Sequence, residues 1–330
     1  MNLQNHVFLM YCGGGPDGRE YRKWAESEIE PVLVYRDGQT TESFFPALLL
    51  LAIRSAQGKT LIPGFGVPGN KEDWLAWLDD IFLPDHNLEA AVKTVEANKL
   101  PAVDIWISLP YPDPGQKKFG LIGDRMLDFS RSRDRMTALK WWVNRFLARW
   151  HAKIKVRGLD RYISFQGFYW ARESMTPQDR LLLPGLISYI HSVDSRTMWI
   201  PYYAATPFLN ITNPGFDITV IQPSYMQNPA LGWQRLKAAA NRAKRYKTGI
   251  EIEFDTSAQF ENSPGYKVSL DYLNRGLPQY EGYMSQTFTA YYTGYKTILN
   301  LYKANSPLYT YLYRFIKGNL QKINYPGINY

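Results

Sequence analysis

The feature that most constrains this chain of 330 residues is its rhythm: short apolar or aromatic runs, each followed by a longer stretch with helical spacing. Strand candidates fall at His6–Tyr11, Lys59–Pro63, Val103–Leu109, Tyr162–Phe168, Thr197–Tyr203, Asp217–Pro223, Thr248–Asp255 and Glu281–Thr289. Alternation of this kind demands a parallel sheet with helical crossovers. It predicts a (β/α)8 TIM barrel in a single domain spanning 1–330, with an open doubly wound sheet as the alternative.

The helices carry their own signals. In Arg135–Trp150, the residues Leu139, Val143, Phe146, Leu147 and Trp150 share one stripe at three- and four-residue spacing. Thr176-Pro177-Gln178-Asp179 reads as an N-cap, a first-turn proline and an acid near the positive helix end. Pro184 is expected to kink or restart that helix. Leu231–Lys247 is amphipathic, Tyr295–Tyr302 opens the last helical stretch, and Asn70 or Asp73 caps a helix carrying Trp74 and Trp77.

Within this frame the octapeptide TGIEIEFD, Thr248–Asp255, raises a question of facing. In a strand, Glu251, Glu253 and Asp255 share one side, neighbours about 6.6 Å apart. A barrel's outer face is covered by helices, which suits Ile250, Ile252 and Phe254, so the acids point inward. Carboxylates this close in a dry interior cannot all ionise, because desolvation and repulsion raise at least one pKa. The plainer alternative is an amphipathic strand with its acids in water.

A further acid stands in SFQGFYWARES, Ser164–Ser174, where Glu173 follows the fourth strand. Its plainer reading is a surface ion pair with Arg172. Two carboxylates facing each other across a barrel mouth are the equipment of glycoside hydrolysis. In that reading Glu173 is the general acid/base, its pKa raised by the apolar stretch that includes Tyr169 and Trp170, which are themselves candidate sugar-binding residues. Glu253 is the nucleophile or second base, and Glu251 or Asp255 holds a hydroxyl or tunes the pair.

Other strand ends add polar and aromatic groups: Ser108, Tyr111 and Asp113 in SLPYPDP, then Trp199, Tyr202 and Tyr203 in WIPYYAA. Asp217, Gln222 and Tyr225 follow in GFDITVIQPSY, with Tyr291 and Tyr292 in TAYYTG. Ring faces and hydrogen-bonding edges together suit a sugar, and an aromatic content of 15% agrees with such a cleft.

Several chemistries lack their residues. The histidines His6, His86, His151 and His191 show no metal-ligand spacing and Cys12 is the lone cysteine, so neither a metal nor a cofactor is expected. There is no G-x-S-x-G elbow and no Walker A loop. Gly64-Phe-Gly66-Val-Pro-Gly69 has the G-x-G-x-x-G form, but Pro68 removes a phosphate-binding N–H, leaving a glycine-rich βα loop. Gly13–Gly18 reads as a flexible loop beside the cleft. No signal peptide is visible, and the longest apolar run, Phe44–Ile53, is too short to span a bilayer, so membrane insertion is not expected.

The net charge of +8 leans toward an acidic glycan over a neutral one. The densest basic group, Arg235, Lys237, Arg242, Lys244, Arg245 and Lys247, reads as one helix's solvated face. Nucleic acid is not an expected partner, since acids line the cleft where phosphates would lie. A non-catalytic carbohydrate-binding protein on the same scaffold is the rival to the hydrolase.

The motifs LMYCGGG, FFPALLLL, PGNKEDW, SLPYPDPGQKKFG, LDFSRSRDR, GFYWARES, WIPYYAA, GFDITVIQPSY, GIEIEFD and TAYYTG run in order through most of the chain. On them the sequence resembles a bacterial family known as domain of unknown function 4855. The resemblance implies a barrel related to glycoside hydrolases and carbohydrate work, carried out outside the cytoplasm. The family's GFYW…E and E-x-E-F-D patterns map onto Glu173 and onto Glu251, Glu253 and Asp255. Ala171-Arg172 and Ser224 depart from the commoner pattern, which bears on specificity.

Overall fold

The computed structural model describes residues 4–38, 40–205, 215–328 and 330. Its centre is a closed, all-parallel barrel in which each strand hydrogen-bonds the next in sequence and the last closes on the first. The strands are β1 His6–Tyr11, β2 Ala47–Leu51, β3 Val103–Leu109, β4 Ile163–Trp170, β5 Arg196–Trp199, β6 Ile218–Ile221, β7 Gly249–Glu253 and β8 Thr289–Tyr292. Around them lie α1 Glu26–Leu33, α2 Lys71–Ile81, α3 Leu88–Ala97, α4 Ser132–Trp150, α5 Pro177–Ser192, α6 Gln234–Tyr246, α7 Pro264–Arg275, α8 Tyr283–Gln286, α9 Thr297–Lys303 and α10 Pro307–Ile316. The fold is the expected (β/α)8 barrel.

Strand parity sorts the side chains into two cores. Val7 and Leu9 of β1, Ala47 and Leu49 of β2, Trp106, Tyr169, Met198, Val220 and Ala290 fill the barrel interior. Their neighbours, among them Phe8, Leu48, Ile105, Phe168, Ile250 and Ile252, pack outward in the layer shared with the helices. The caps are those the sequence announces: Asn70 Oδ1 accepts from Asp73 N–H at 3.1 Å, and Thr176 Oγ1 accepts from Asp179 N–H at 3.1 Å. α5 runs on through Pro184 without restarting.

Two strands differ from expectation. The second is Ala47–Leu51, inside the apolar run, whereas Lys59–Pro63 lies in the β2–α2 loop, where Thr60 makes only isolated bridges to Arg54 and Pro68. A strand buried on both faces is apolar at every position and shows no alternation. The eighth begins at Thr289; much of the expected Glu281–Thr289 stretch is instead the helical turn α8.

The two glycine-rich stretches lie in neighbouring βα loops, and one side chain ties the first to the segment leading into the second. Arg54, just past β2, donates Nη2 to the Pro16 carbonyl at 3.0 Å and Nη1 to the Gly58 carbonyl at 3.0 Å. Gly13–Gly14 pairs with Tyr21–Arg22 as a small hairpin at the end of β1. Among the described residues no helix is long and apolar enough to cross a membrane.

Candidate active site

β7 answers the question its sequence posed. Ile250, Ile252 and Phe254 pack in the outer layer, so Glu251 and Glu253 face the barrel interior, each 1% exposed. Glu253 stands at the carboxyl end of the strand, opposite Tyr292 in the β8 register, and Glu251 lies one layer deeper, opposite Ala290. In barrels this end is where loops and strand ends assemble a site.

The two carboxyl groups have unequal surroundings. Three protein donors meet Glu253: Ser224 N–H at 2.8 Å and the Tyr272 hydroxyl at 2.5 Å on Oε2, and Gln227 Nε2 at 2.8 Å on Oε1. Glu251 Oε1 is buried without a hydrogen-bond partner. Burial raises both pKa values, with the neighbouring carboxylates adding to the rise. The donors oppose it at Glu253, while Glu251 is driven well above the ordinary range. Glu251 therefore holds its proton after Glu253 has given one up.

Glu173 lies beyond β4 at the mouth. The residue is exposed, yet enough protein crowds its carboxyl group for desolvation to raise its pKa, opposed by a 3.2 Å hydrogen bond from Gln222 Nε2. Its charge is felt by Glu251, Glu253 and Tyr169, and its partner Gln222 stands two residues before Ser224, a donor to Glu253, so the acids of β4 and β7 are neighbours at the carboxyl end of the barrel. Tyr11, Tyr169 and Tyr292 stand close to them, each with its phenol pKa pushed up by burial and by Glu251.

The loop carrying Glu173 is anchored by a buried ion pair. Arg135 of α4 and Asp179 of α5, 1% and 0% exposed, meet at 2.6 Å. Asp179 also accepts from the Tyr111 hydroxyl at 3.2 Å and from Thr176 N–H and Oγ1 at 3.0 and 2.8 Å. Arg172 turns into this cluster, its Nε 3.5 Å from Asp179 and its Nη1 donating to the Tyr111 hydroxyl at 3.1 Å. The expected alternative, an Arg172–Glu173 pair, is not formed.

Other expected site residues separate by position. Tyr202 and Gln222 pair in a bridge beyond β5 and β6, with Tyr202 exposed at the mouth. Tyr203 is clamped between the guanidinium groups of Arg235 and Arg242, 3.9 and 4.0 Å from its ring, so part of the basic face of α6 serves to hold this loop. Asp255 caps the turn after β7, accepting from Ser257 N–H at 2.7 Å.

The remaining expectations need correction: strand parity turns three of these side chains away from the acids, and the other three lie on loops that place them elsewhere. Trp170, Trp199 and Tyr291 point into the helical layer, Trp199 Nε1 donating to the Arg172 carbonyl at 2.8 Å. Tyr111 belongs to the Asp179 cluster, and Tyr225 gives its hydroxyl to Asp271 at 2.8 Å. Asp217 precedes β6 at the opposite end of the barrel, 2.9 Å from His191 Nε2 and bonded to Thr197. Conversely, sequence reasoning missed Tyr11, Gln227 and Tyr272. Only Tyr11 offered a signal, continuing the inward parity of Val7 and Leu9 to the strand's end.

A raised folded-state pKa has a thermodynamic sign. Glu251 keeps its proton in the native protein at pH values where the unfolded chain has lost it. Its contribution is thus most favourable at acid pH and falls as pH rises above the ordinary carboxylate value of about 4.3. Urea unfolding between about pH 4 and about pH 8 is expected to show a steeper decline in stability for the wild type than for Glu251→Gln, which keeps the raised carboxyls of Glu173 and Glu253. Parallel declines would mean that Glu251 ionises freely on folding.

Among the described residues no group of three or more His, Cys, Asp or Glu side chains could hold a metal ion. No curated protein matches the sequence. Solved structures with similar chain paths include a broad-specificity GH5-4 endoglucanase from Clostridium longisporum, at 11% identity and a TM-score of 0.48, covering 95% of this chain and 97% of that one. An alpha-amylase from Malbranchea cinnamomea matches at 9% identity and a TM-score of 0.47, covering 95% and 76%. The Bacillus subtilis mannanase man26 matches at 12% identity and a TM-score of 0.44, covering 93% and 85%. The sequence itself matches a family from residue 6 to residue 317, nearly its whole length, and the chain belongs to that family, Domain of unknown function (DUF4855).

Proposed function

We propose that this protein is a glycoside hydrolase that cleaves an oligo- or polysaccharide at the carboxyl end of its barrel. The observation that supports the reading is that Glu253 and Glu251 face inward from β7 while Glu173, from the β4 loop, is bonded to Gln222 two residues before the Ser224 donor to Glu253, so three carboxyl groups with unequal hydrogen bonding stand near one another. Glu173, raised in pKa and open to the mouth, is suited to protonate a departing glycosidic oxygen and then to deprotonate water. Glu253, held by three donors, is the carboxylate suited to attack or stabilise the anomeric carbon. Ser224 and Tyr272 occupy Oε2 and Gln227 takes one lone pair of Oε1, leaving the other free for the anomeric carbon, and the near absence of exposure favours direct attack with retention over activation of an intervening water. Glu251, protonated beneath them, keeps a second negative charge out of the pair.

The surroundings suit a sugar chain. Tyr21, Phe65, Tyr202 and Phe260 are exposed aromatic side chains, and all lie on segments that follow barrel strands at the mouth end. Such rings can stack on the apolar faces of pyranose units.

The test is a panel of plant, host and microbial glycans, assayed for released reducing ends with the wild type and with Glu173→Gln. We expect at least one glycan to be cleaved, and the variant to bind it while turning it over about 10²–10⁴-fold more slowly. Glycan binding by the wild type without any cleavage would favour the binding-protein reading. For a cleaved glycan, NMR of the first-formed anomer reads retention or inversion.

A further inference from the structure

The chain after α10 folds back onto α7. Asn274, fully buried, exchanges two hydrogen bonds with Ile323: its Nδ2 donates to the Ile323 carbonyl, and its Oδ1 accepts from the Ile323 N–H, both at 2.8 Å. Beyond this lock, Tyr325 and Tyr330 each donate a phenol hydroxyl to Asp271 Oδ1, Tyr330 at 2.7 Å. The Tyr330 ring lies 5.4 Å from Trp233 at the start of α6, with the Arg275 guanidinium 4.9 Å from it.

Asp271 Oδ2 accepts a third phenol, that of Tyr225 at 2.8 Å, from the loop between β6 and α6. The same loop supplies the Ser224 N–H and the Gln227 amide to Glu253. The residue after Asp271 is Tyr272, which supplies the third donor. Adjacent residues of α7 thus grip the loop and the carboxylate, and the rings of Tyr225 and Tyr272 lie 5.8 Å apart. Ser224 is held at φ 55°, the left-handed region a non-glycine residue enters only at a cost of about 1–3 kcal/mol. Something must hold it there.

We propose that Asp271, with Tyr225, Tyr325 and Tyr330, is a positioning device for Glu253: it fixes the β6–α6 loop in the one conformation where Ser224 and Gln227 both reach the carboxylate. Tyr325 and Tyr330 lie beyond the stretch matched by the family, so the segment after residue 317 takes part in setting the site. The contact chain stands by itself; only its consequence for turnover rests on the hydrolase reading.

Donors to a carboxylate lower its pKa, so a loosened loop raises that of Glu253. The charged and titratable groups facing it are Glu251 on its own strand, Tyr292 opposite it on β8, Glu173 from the β4 loop and Tyr272 from α7, and all of them stay in place. The experiment is ¹³C NMR titration of glutamate carboxyls in the full chain, with the Glu253 signal assigned by Glu253→Gln. Tyr225→Phe and Asp271→Asn are expected to raise the Glu253 pKa by about one unit or more, and Tyr330→Phe, which leaves Tyr325 in place, by less.

Tyr309→Phe, which removes a phenol bonded to the Pro31 carbonyl at 2.7 Å, is the control and is expected to change nothing. Should Asp271→Asn fail to fold, the two phenylalanine variants still decide. A Glu253 titration unmoved in folded Tyr225→Phe, or moved equally in Tyr309→Phe, would overturn the positioning role. If the wild type cleaves a glycan, the acidic limb of the kcat/KM profile in Tyr225→Phe and Asp271→Asn should move up with the NMR value. If it cleaves none, the hydrolase reading fails while the titration still judges the contact chain.

Discussion

Exchange of Glu253 for glutamine is expected to lower the turnover of a cleaved glycan by about 10⁴-fold or more while the variant still binds it. The carboxamide cannot serve as nucleophile. It also changes the hydrogen bonding: the native carboxylate accepts on both oxygens, from Ser224 and Tyr272 on one and from Gln227 on the other. A glutamine offers one acceptor oxygen; with that oxygen kept on Ser224 and Tyr272, its NH₂ meets Gln227, which must flip its own amide to accept. Loss of the charge-assisted bonds is expected to destabilise the fold by about 1 kcal/mol, read as an earlier urea midpoint. Glu253→Asp separates the two effects, because it keeps an anion and withdraws it from the mouth. Activity within about tenfold of wild type in Glu253→Gln would remove this residue from the chemistry and pass the role to Glu251.

The second large effect concerns stability. Asp179→Ala is expected to cost about 3–5 kcal/mol in urea unfolding, because it leaves the Arg135 guanidinium buried without its counter-charge. It also strips the N-cap partner from Thr176 and the acceptor from Tyr111, so the loop bearing Glu173 loses its anchor. Replacing both charges by apolar residues, Arg135→Met with Asp179→Leu, is expected to recover much of that cost. A single variant as stable as wild type would show that the pair's desolvation cancels its attraction.

Legibility in the sequence followed how far one face of an element differs from the other. β7 was readable because its alternation is strict, and the barrel frame then told inside from outside. Glu173 could be placed at a strand end because GFYW closes β4 just before it. β2 was not readable, for an element apolar at every position carries no period. The aromatic strand ends were over-read for a related reason: with Tyr169, Ile200 and Tyr292 facing in, their neighbours Trp170, Trp199 and Tyr291 must face out. Tyr272 and Gln227 reach Glu253 from a helix and a loop at no fixed spacing, so nothing local in the chain announces them.

The second strand has one further consequence. FFPALLLLAI, Phe44 to Ile53, contains no charge and is suited to pair with copies of itself whenever it is unsheathed. Pro46 interrupts it near the start, and Arg54 closes it with a cation at the end, the arrangement of residues that blocks intermolecular stacking. During synthesis or refolding this decapeptide is a hazard for self-association, and the proline inside it and the arginine after it act against its becoming an aggregate's nucleus.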